Sequence, residues 1–471
     1  MMEDGEAGIA AEARPLLGGV NIRYSSMTFS LAVSTIVAQC SALANGCAVA
    51  YTSPAESGIT EDLGLSSSQY AIFGSLFTAG GLVSCFISGK TADHIGRKKT
   101  LWLSQFCFTL GWLGIVLAKN AWWLYIGRFS MGVGAGFTFY AVPVYMAEIS
   151  PTNVRGALTA ASQLTAYLGF ALVYITGNIV SWRVLAIIGS VPGIIQVIGL
   201  FCIPESPRWL AKVGRYTELE VALQRLRGKD VDIHLEAETI KEYTMTCDAF
   251  EDHSKTRLTD LFQRKYAPAL LVCIGLMLVQ QFGGASAIAA YVSDVFEIAD
   301  FSTSIGGTGL ALIQIPVTIL GLSLMDVWGR RPLLMVSLSG MCLGCFLVAS
   351  SFLFQDFNLG TEITPVLVFI GLMLYIACLA FGTGFIPLVI MSEIFPVNMK
   401  GAAGSLVLVI SSVCSLITTY TFLFALEWSS AGVFFMFFAI CGGGLLFAVK
   451  FVPETKCRTL EDIQKSMVHF Q

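Results

Sequence analysis

Apolar residues run in blocks of about 20 along nearly the whole chain, the length at which a helix crosses a hydrocarbon core. Twelve such blocks lie within 27–50, 69–89, 100–118, 121–147, 157–180, 183–203, 267–296, 302–326, 332–354, 364–391, 401–424 and 431–452. One long polar insertion, 204–266, divides them six and six. Inside it, Thr217 to Arg227 places apolar residues at helical spacing with charge on the remaining face, the pattern of an amphipathic helix lying under a membrane part. The reading is an all-α integral membrane protein with 12 transmembrane helices in two six-helix bundles. Its divisions are a leader at 1–26, an N-terminal bundle at 27–203, a helical linker at 204–266, a C-terminal bundle at 267–452 and a tail at 453–471.

The polar punctuation repeats. EISPTNVRG at 148–156 returns as EIFPVNMKG at 393–401, DHIGRK at 93–98 as DVWGRR at 326–331, and PES at 204–206 as PET at 453–455. Three anchors in one order, about 230 to 250 residues apart, are too widely spaced for a solenoid and fit two fused halves. Each pair falls at the same end of equivalent blocks, so the halves share one topology and are related by an axis along the membrane normal.

Composition agrees: 55% of residues are hydrophobic and only 13% charged, with a mean hydropathy of +0.72. Orientation follows from the bases rather than from the net charge of −4, because acids weigh little in the positive-inside bias. Lys90, Arg97, Lys98, Lys99, Arg155, Arg330, Arg331 and Lys400 fall on one side, whereas connections 51–68, 297–301, 355–363 and 425–430 hold no Lys or Arg. Both termini and the linker are therefore expected in the cytoplasm. Acids recur beside the bases, Asp93 next to Arg97 among them. Ion pairs are accordingly expected between Glu148, Arg155, Glu205 and Arg208 of the first half and Glu393, Lys400, Asp326 and Arg330 of the second when that side is shut. Exposed pairs are worth roughly 0–1 kcal/mol each, enough in number to bias two states.

Soluble-enzyme motifs fail. Gly89-Lys90-Thr91 ends like a phosphate-binding loop, but Ser84 stands where its first Gly belongs. Gly132, Gly134 and Gly136 sit in an apolar block with no preceding strand and are read as close helix packing. The four histidines lie outside the blocks, so no metal site and no cofactor are expected, and no nucleic-acid partner. The thirteen cysteines show no paired spacing. What the blocks do contain is amides: Gln163, Gln280, Gln281 and Gln314. An amide left unsatisfied in hydrocarbon costs several kcal/mol, on the order of a lost hydrogen bond per group. The four therefore imply a wet cavity for a neutral polyhydroxylated ligand, and the lipid bilayer is the other expected partner.

At this point the residues resemble a family. GKTADHIGRKK (89–99), GRFSMGVGAG (127–136), PESPRWL (204–210), QQFGG (280–284) and MDVWGRRPLL (325–334), with the two repeated segments, follow the order of the sugar porters of the major facilitator superfamily. Gln314-Ile-Pro-Val-Thr and the short tail are similar to the plant early-responsive-to-dehydration branch of monosaccharide transporters. The resemblance implies a sugar site between the halves using Gln163, Gln280, Gln281 and Gln314, an outer gate at Tyr291, and alternating access. Four positions depart from the pattern: Ser286 replaces an Asn, Leu388 a Trp, and Ser411-Ser412 an Asn-Trp pair. They imply a looser site.

Proton-driven members of the family carry an acid in the first helix near the arginine matching Arg128. Met27 to Pro54 contains no Asp or Glu, so facilitated diffusion of hexose is expected, with Asp294 as the substitute carrier if protons are coupled. Proton-coupled sugar or polyol transport is the first alternative, and a non-transporting sugar sensor the second. Glu12, Leu16 and Leu17 resemble a dileucine sorting signal in the leader, implying a sorting adaptor and a vacuolar or other endomembrane location.

Overall fold

The computed structural model describes residues 28–151, 155–228, 231–253, 266–357, 362–395 and 397–454. The leader signal of Glu12, Leu16 and Leu17 lies outside the described residues, as do the side chains of Arg155, Asp326 and Lys400.

The first half consists of α1 (Phe29–Ala50), α2 (Thr52–Leu63), α3 (Ser67–Ile95), α4 (Arg97–Val116), α5 (Ala121–Ile149), α6 (Arg155–Gly177) and α7 (Trp182–Cys202). The linker contributes α8 (Pro207–Lys212), α9 (Tyr216–Arg227) and α10 (His234–His253). The second half runs through α11 (Ala267–Phe282), α12 (Ala285–Ile298), α13 (Thr303–Trp328), α14 (Arg330–Asp356), α15 (Thr364–Cys378), a π turn at Leu379–Thr383, α16 (Ile386–Ile394), α17 (Val397–Trp428) and α18 (Ser430–Phe451). Every apolar block is helical, and α2 fills much of the first outer connection. Among the described residues, nine helical stretches are long and apolar enough to cross a membrane. The remaining three blocks form α4, α5 and α6, whose Gly, Ser, Thr, Gln and charged residues lower their hydropathy.

Those small residues have a packing role. A Cβ on Gly132 would strike the backbone of Phe77 in α3, one on Gly136 the Ser84 side chain, and one on Gly134 the Ser104 carbonyl of α4 at 2.8 Å. The glycine-rich block is therefore a close helix contact, where dispersion replaces the missing hydrophobic drive. Side-chain caps fix several of the helix starts. Thr28 accepts from the Leu31 amide at 3.2 Å, and Ser66 and Gln69 form a reciprocal capping box.

The duplication is visible in the contacts. α1 packs on α6 as α11 packs on α17, and the halves meet through α3 against α17 and, as its counterpart, α6 against α13. Two blocks in the second half are interrupted. Gly283 and Gly284 separate α11 from α12, Gly284 having φ +99°, and the π turn separates α15 from α16. The linker binds the first half: Trp209 Nε1 donates to Asp93 O at 2.8 Å, and Arg227 Nη1 to Ile149 O at 2.8 Å.

Candidate functional site

Three of the four amides, Gln163, Gln280 and Gln281, gather where the interrupted helices meet the first half. Gln280 Nε2 donates to Thr383 O at 3.0 Å and Gly384 O at 3.4 Å, carbonyls at the end of the π turn. Gln281 Nε2 donates to Ser411 Oγ at 3.1 Å, and its Oε1 accepts from Ser286 Oγ at 2.6 Å. From the first half, Gln163 hydrogen-bonds the Tyr167 hydroxyl, which lies beside Gly384. Gln163, Tyr167, Gln280, Gln281, Ser286 and Ser411 thus form a polar band across the junction. Gln314 is buried and donates to Leu310 O in its own helix at 3.0 Å. Leu388 is partly buried against the apolar core beneath the band. Tyr167 escaped the sequence reading, though its place one turn after Gln163 is the signal that finds it.

The end carrying the bases repeats one arrangement in both halves. Arg97 grips Glu148 through Nε to Oε2 and Nη2 to Oε1, each at 3.0 Å, and Asp93 through Nη1 at 2.9 Å. Ser206 Oγ donates to Glu148 Oε2 at 2.5 Å. Glu205 Oε1 accepts from the amides of Lys98 at 3.0 Å and Ser206 at 2.9 Å. In the second half Arg330 Nη2 pairs with Glu393 Oε1 at 2.9 Å, and Glu454 accepts from the amides of Arg330 at 3.0 Å and Arg331 at 3.1 Å. Glu205 and Glu454 are therefore anions on the N-termini of α4 and α14. The sequence reading has the pairs crossing between halves when this side is shut; this structure is tied at the opposite end instead. In this conformation Glu148 and Glu393 each hold an arginine of their own half, and among the described residues no ion pair joins the two. Arg208 is exposed.

The opposite end is where the halves are tied. Ser53 Oγ meets Ser293 Oγ at 2.5 Å and accepts from the Ser293 amide at 3.0 Å, and Asn178 Nδ2 donates to Thr308 Oγ1 at 3.0 Å. Tyr291 is fully buried at a kink in α12, with φ −130° and ψ 32°. It stacks on Phe422 at 6.1 Å and abuts Gly74 of the first half. Arg128 is 2% exposed, donates to Ala48 O at 2.6 Å and to Thr52 Oγ1, and lies over the Phe77 ring at 4.6 Å. Among the described residues no carboxylate pairs with it, in keeping with the acid-free first block.

One acid was passed over by the sequence reading. Glu56 of α2 stands against Asp294 of α12, their carboxyls in hydrogen-bond contact across the halves. Glu56 falls two residues beyond the acid-free segment 27–54, and only the fold brings it to Asp294.

A family model described as "Sugar (and other) transporter" matches residues 23–467. "Sugar transporter ERD6-like 17" of Arabidopsis thaliana is 49% identical over 443 residues, 94% of this chain and 93% of that protein. "Sugar transporter ESL1" of the same plant is 46% identical over 450 residues, 96% of this chain and 95% of that one. Among solved structures, the inward-open xylose transporter XylE from E. coli superposes with a TM-score of 0.77 at 22% identity, covering 92% of this chain and 99% of that one.

Proposed function

Because the chain belongs to the sugar transporter family whose model spans 23–467, and is a transporter rather than an enzyme, we propose that it moves a neutral monosaccharide, a hexose first, by facilitated diffusion through alternating access. The observation that carries this reading is the polar band at the junction of the halves. Its Gln and Ser groups offer donors and acceptors without charge, the chemistry a sugar hydroxyl needs, and helix breaks supply further carbonyls at the same level. Arg128, which has no carboxylate partner among the described residues, supports diffusion over proton drive.

The basic end faces the cytoplasm on the positive-inside pattern. Asp93, Arg97, Glu148, Glu205, Arg208, Asp326, Arg330, Glu393, Lys400 and Arg155 form the inner gate, their partners exchanging between halves as it shuts. Tyr291 seals the outer mouth. The leader residues Glu12, Leu16 and Leu17 direct the protein, through an adaptor, to an endomembrane such as that of the vacuole.

Proton-coupled transport is the second reading, and the contact of Asp294 with Glu56 favours it. Purified protein in sealed liposomes decides between them. Uptake of hexoses, pentoses and polyols is measured with and without an imposed proton gradient. Diffusion gives hexose flux that collapses with the sugar gradient and is not driven uphill by protons. Uphill accumulation under the proton gradient overturns it, and no flux of any sugar or polyol overturns the transport reading itself.

A further inference from the structure

We propose that Glu56 and Asp294 share one proton and act as a latch that holds the outer mouth shut. The inference rests on the alternating-access reading for what the mouth does, and on the following geometry for the latch.

Glu56 belongs to the first half and Asp294 to the second, on helices α2 and α12 that pack directly together. Their carboxyls touch, yet Glu56 Oε2 and Asp294 Oδ2 are both buried and receive a donor from no described residue. Two carboxylates in that position would repel each other and would each leave an oxygen without water or donor. One proton between them turns the repulsion into a charge-assisted hydrogen bond and satisfies both oxygens.

The surroundings favour that proton. Glu297 from α12 acts on both carboxyls. Glu61 and Asp300 line the same 910 Å³ cavity, and Glu427 of α17 lines its neighbour with Glu56, Asp294 and Glu297. Tyr70, Tyr174 and Tyr291 are the other titratable groups facing the pair. Among the described residues no Lys or Arg lines either cavity, and the nearby cation Arg128 is turned to Ala48 and Thr52. Burial first, and then the charge of Asp294, raise the Glu56 carboxyl well above its ordinary range.

The pair is also placed to seal. Ser53 and Ser293, three residues and one residue away, form a hydroxyl contact of 2.5 Å between the halves, and Tyr291 lies three residues before Asp294. Opening the mouth parts the carboxyls into water, where each falls back to the ordinary range near 4 and releases the proton. Closing takes one up from the same side. Protons on that side therefore favour closure without being carried across, and the sign follows. The stabilisation is full below the open-state value of Glu56 and is lost as pH rises through its raised value in the closed pair, the closing equilibrium changing by about tenfold per pH unit in between.

The test reads the gate without needing sugar. Full-length protein in nanodiscs is followed by amide hydrogen exchange over 52–63 and 285–298, corrected for intrinsic rate, at about pH 5.5 and about pH 7.5, where the freed carboxyls are ionised. The latch requires stronger protection of these segments at the lower pH. Glu56→Gln, whose amide donates to Asp294 permanently, must give strong protection at both pH values, and Asp294→Ala weak protection at both. Wild-type protection that does not change with pH overturns the latch even if a variant fails to fold, as does pH dependence that survives Glu56→Gln. Titrating exchange without sugar flux would keep the latch and remove the transport reading. Flux with pH-indifferent exchange would do the reverse.

Discussion

Glu205 caps the start of α4 by accepting from the Lys98 amide at 3.0 Å, and Gly96 immediately before that helix stands so close that a Cβ there would lie 2.5 Å from Glu205 Oε2. Gly329 repeats the relationship with Glu454 at 2.7 Å. Both glycines are extended at positive φ, +100° and +94°, a region almost closed to other residues. Gly96→Ala and Gly329→Ala are each expected to destabilise by about 1–3 kcal/mol, and by similar amounts because the two sites are copies. Thermal melting in detergent measures both.

Arg97 and Glu148 are nearly out of solvent, their side chains 9% and 13% exposed. Removing one partner leaves the other charge buried, which costs about 3–5 kcal/mol. Glu148→Gln and Arg97→Met should each lower the melting temperature by more than the double variant does. A cycle in which the single effects simply add would remove this pair as a unit.

Gln281 is held by Ser286 and Ser411, so it is aimed before a ligand arrives. Gln281→Ala should reduce hexose flux at limiting sugar by roughly 5- to 150-fold, the effect of losing about 1–3 kcal/mol of polar contact, while the melting temperature stays near that of wild type. Equal losses of flux and stability would make Gln281 a packing residue.

The Tyr291 hydroxyl is buried without an acceptor among the described residues, and it abuts Gly74. Tyr291→Phe should therefore leave flux close to wild type. Gly74→Ala should slow it by obstructing closure, and adding Tyr291→Phe should recover much of the loss through a coupling of about 0.5–3 kcal/mol. Zero-trans flux of the four proteins gives the answer.

The sequence made the helices and their pairing legible because hydrophobic length and repeated punctuation are local signals. The amides at 280, 281 and 163 were legible for the same reason: a Gln in an apolar block has few places to go. Pairing at the basic end was not. The fixed spacing of Glu148 and Glu393 shows that each needs a base, but which base depends on the fold, and α5 brings Glu148 to Arg97 at the start of α4. Glu56 was hidden differently. Its surroundings, Ser-Pro-Ala-Glu-Ser, read as an ordinary polar connection, and its meaning comes from α12, 238 residues further along.

The π turn has a mechanical corollary. A wide turn leaves peptide oxygens without their usual helical donors, and those of Thr383 and Gly384 are satisfied instead by the side chain of Gln280, while Ser337 donates to Cys378 O at 2.6 Å just upstream. A guest that recruits the Gln280 amide strips these oxygens of their donor. The block must then straighten, bend further or hand them to the guest's own hydroxyls. Ligand binding at the polar band and flexing of this helix would in that sense be one event, and a ligand too poor in donors to make the exchange would be held without being passed on.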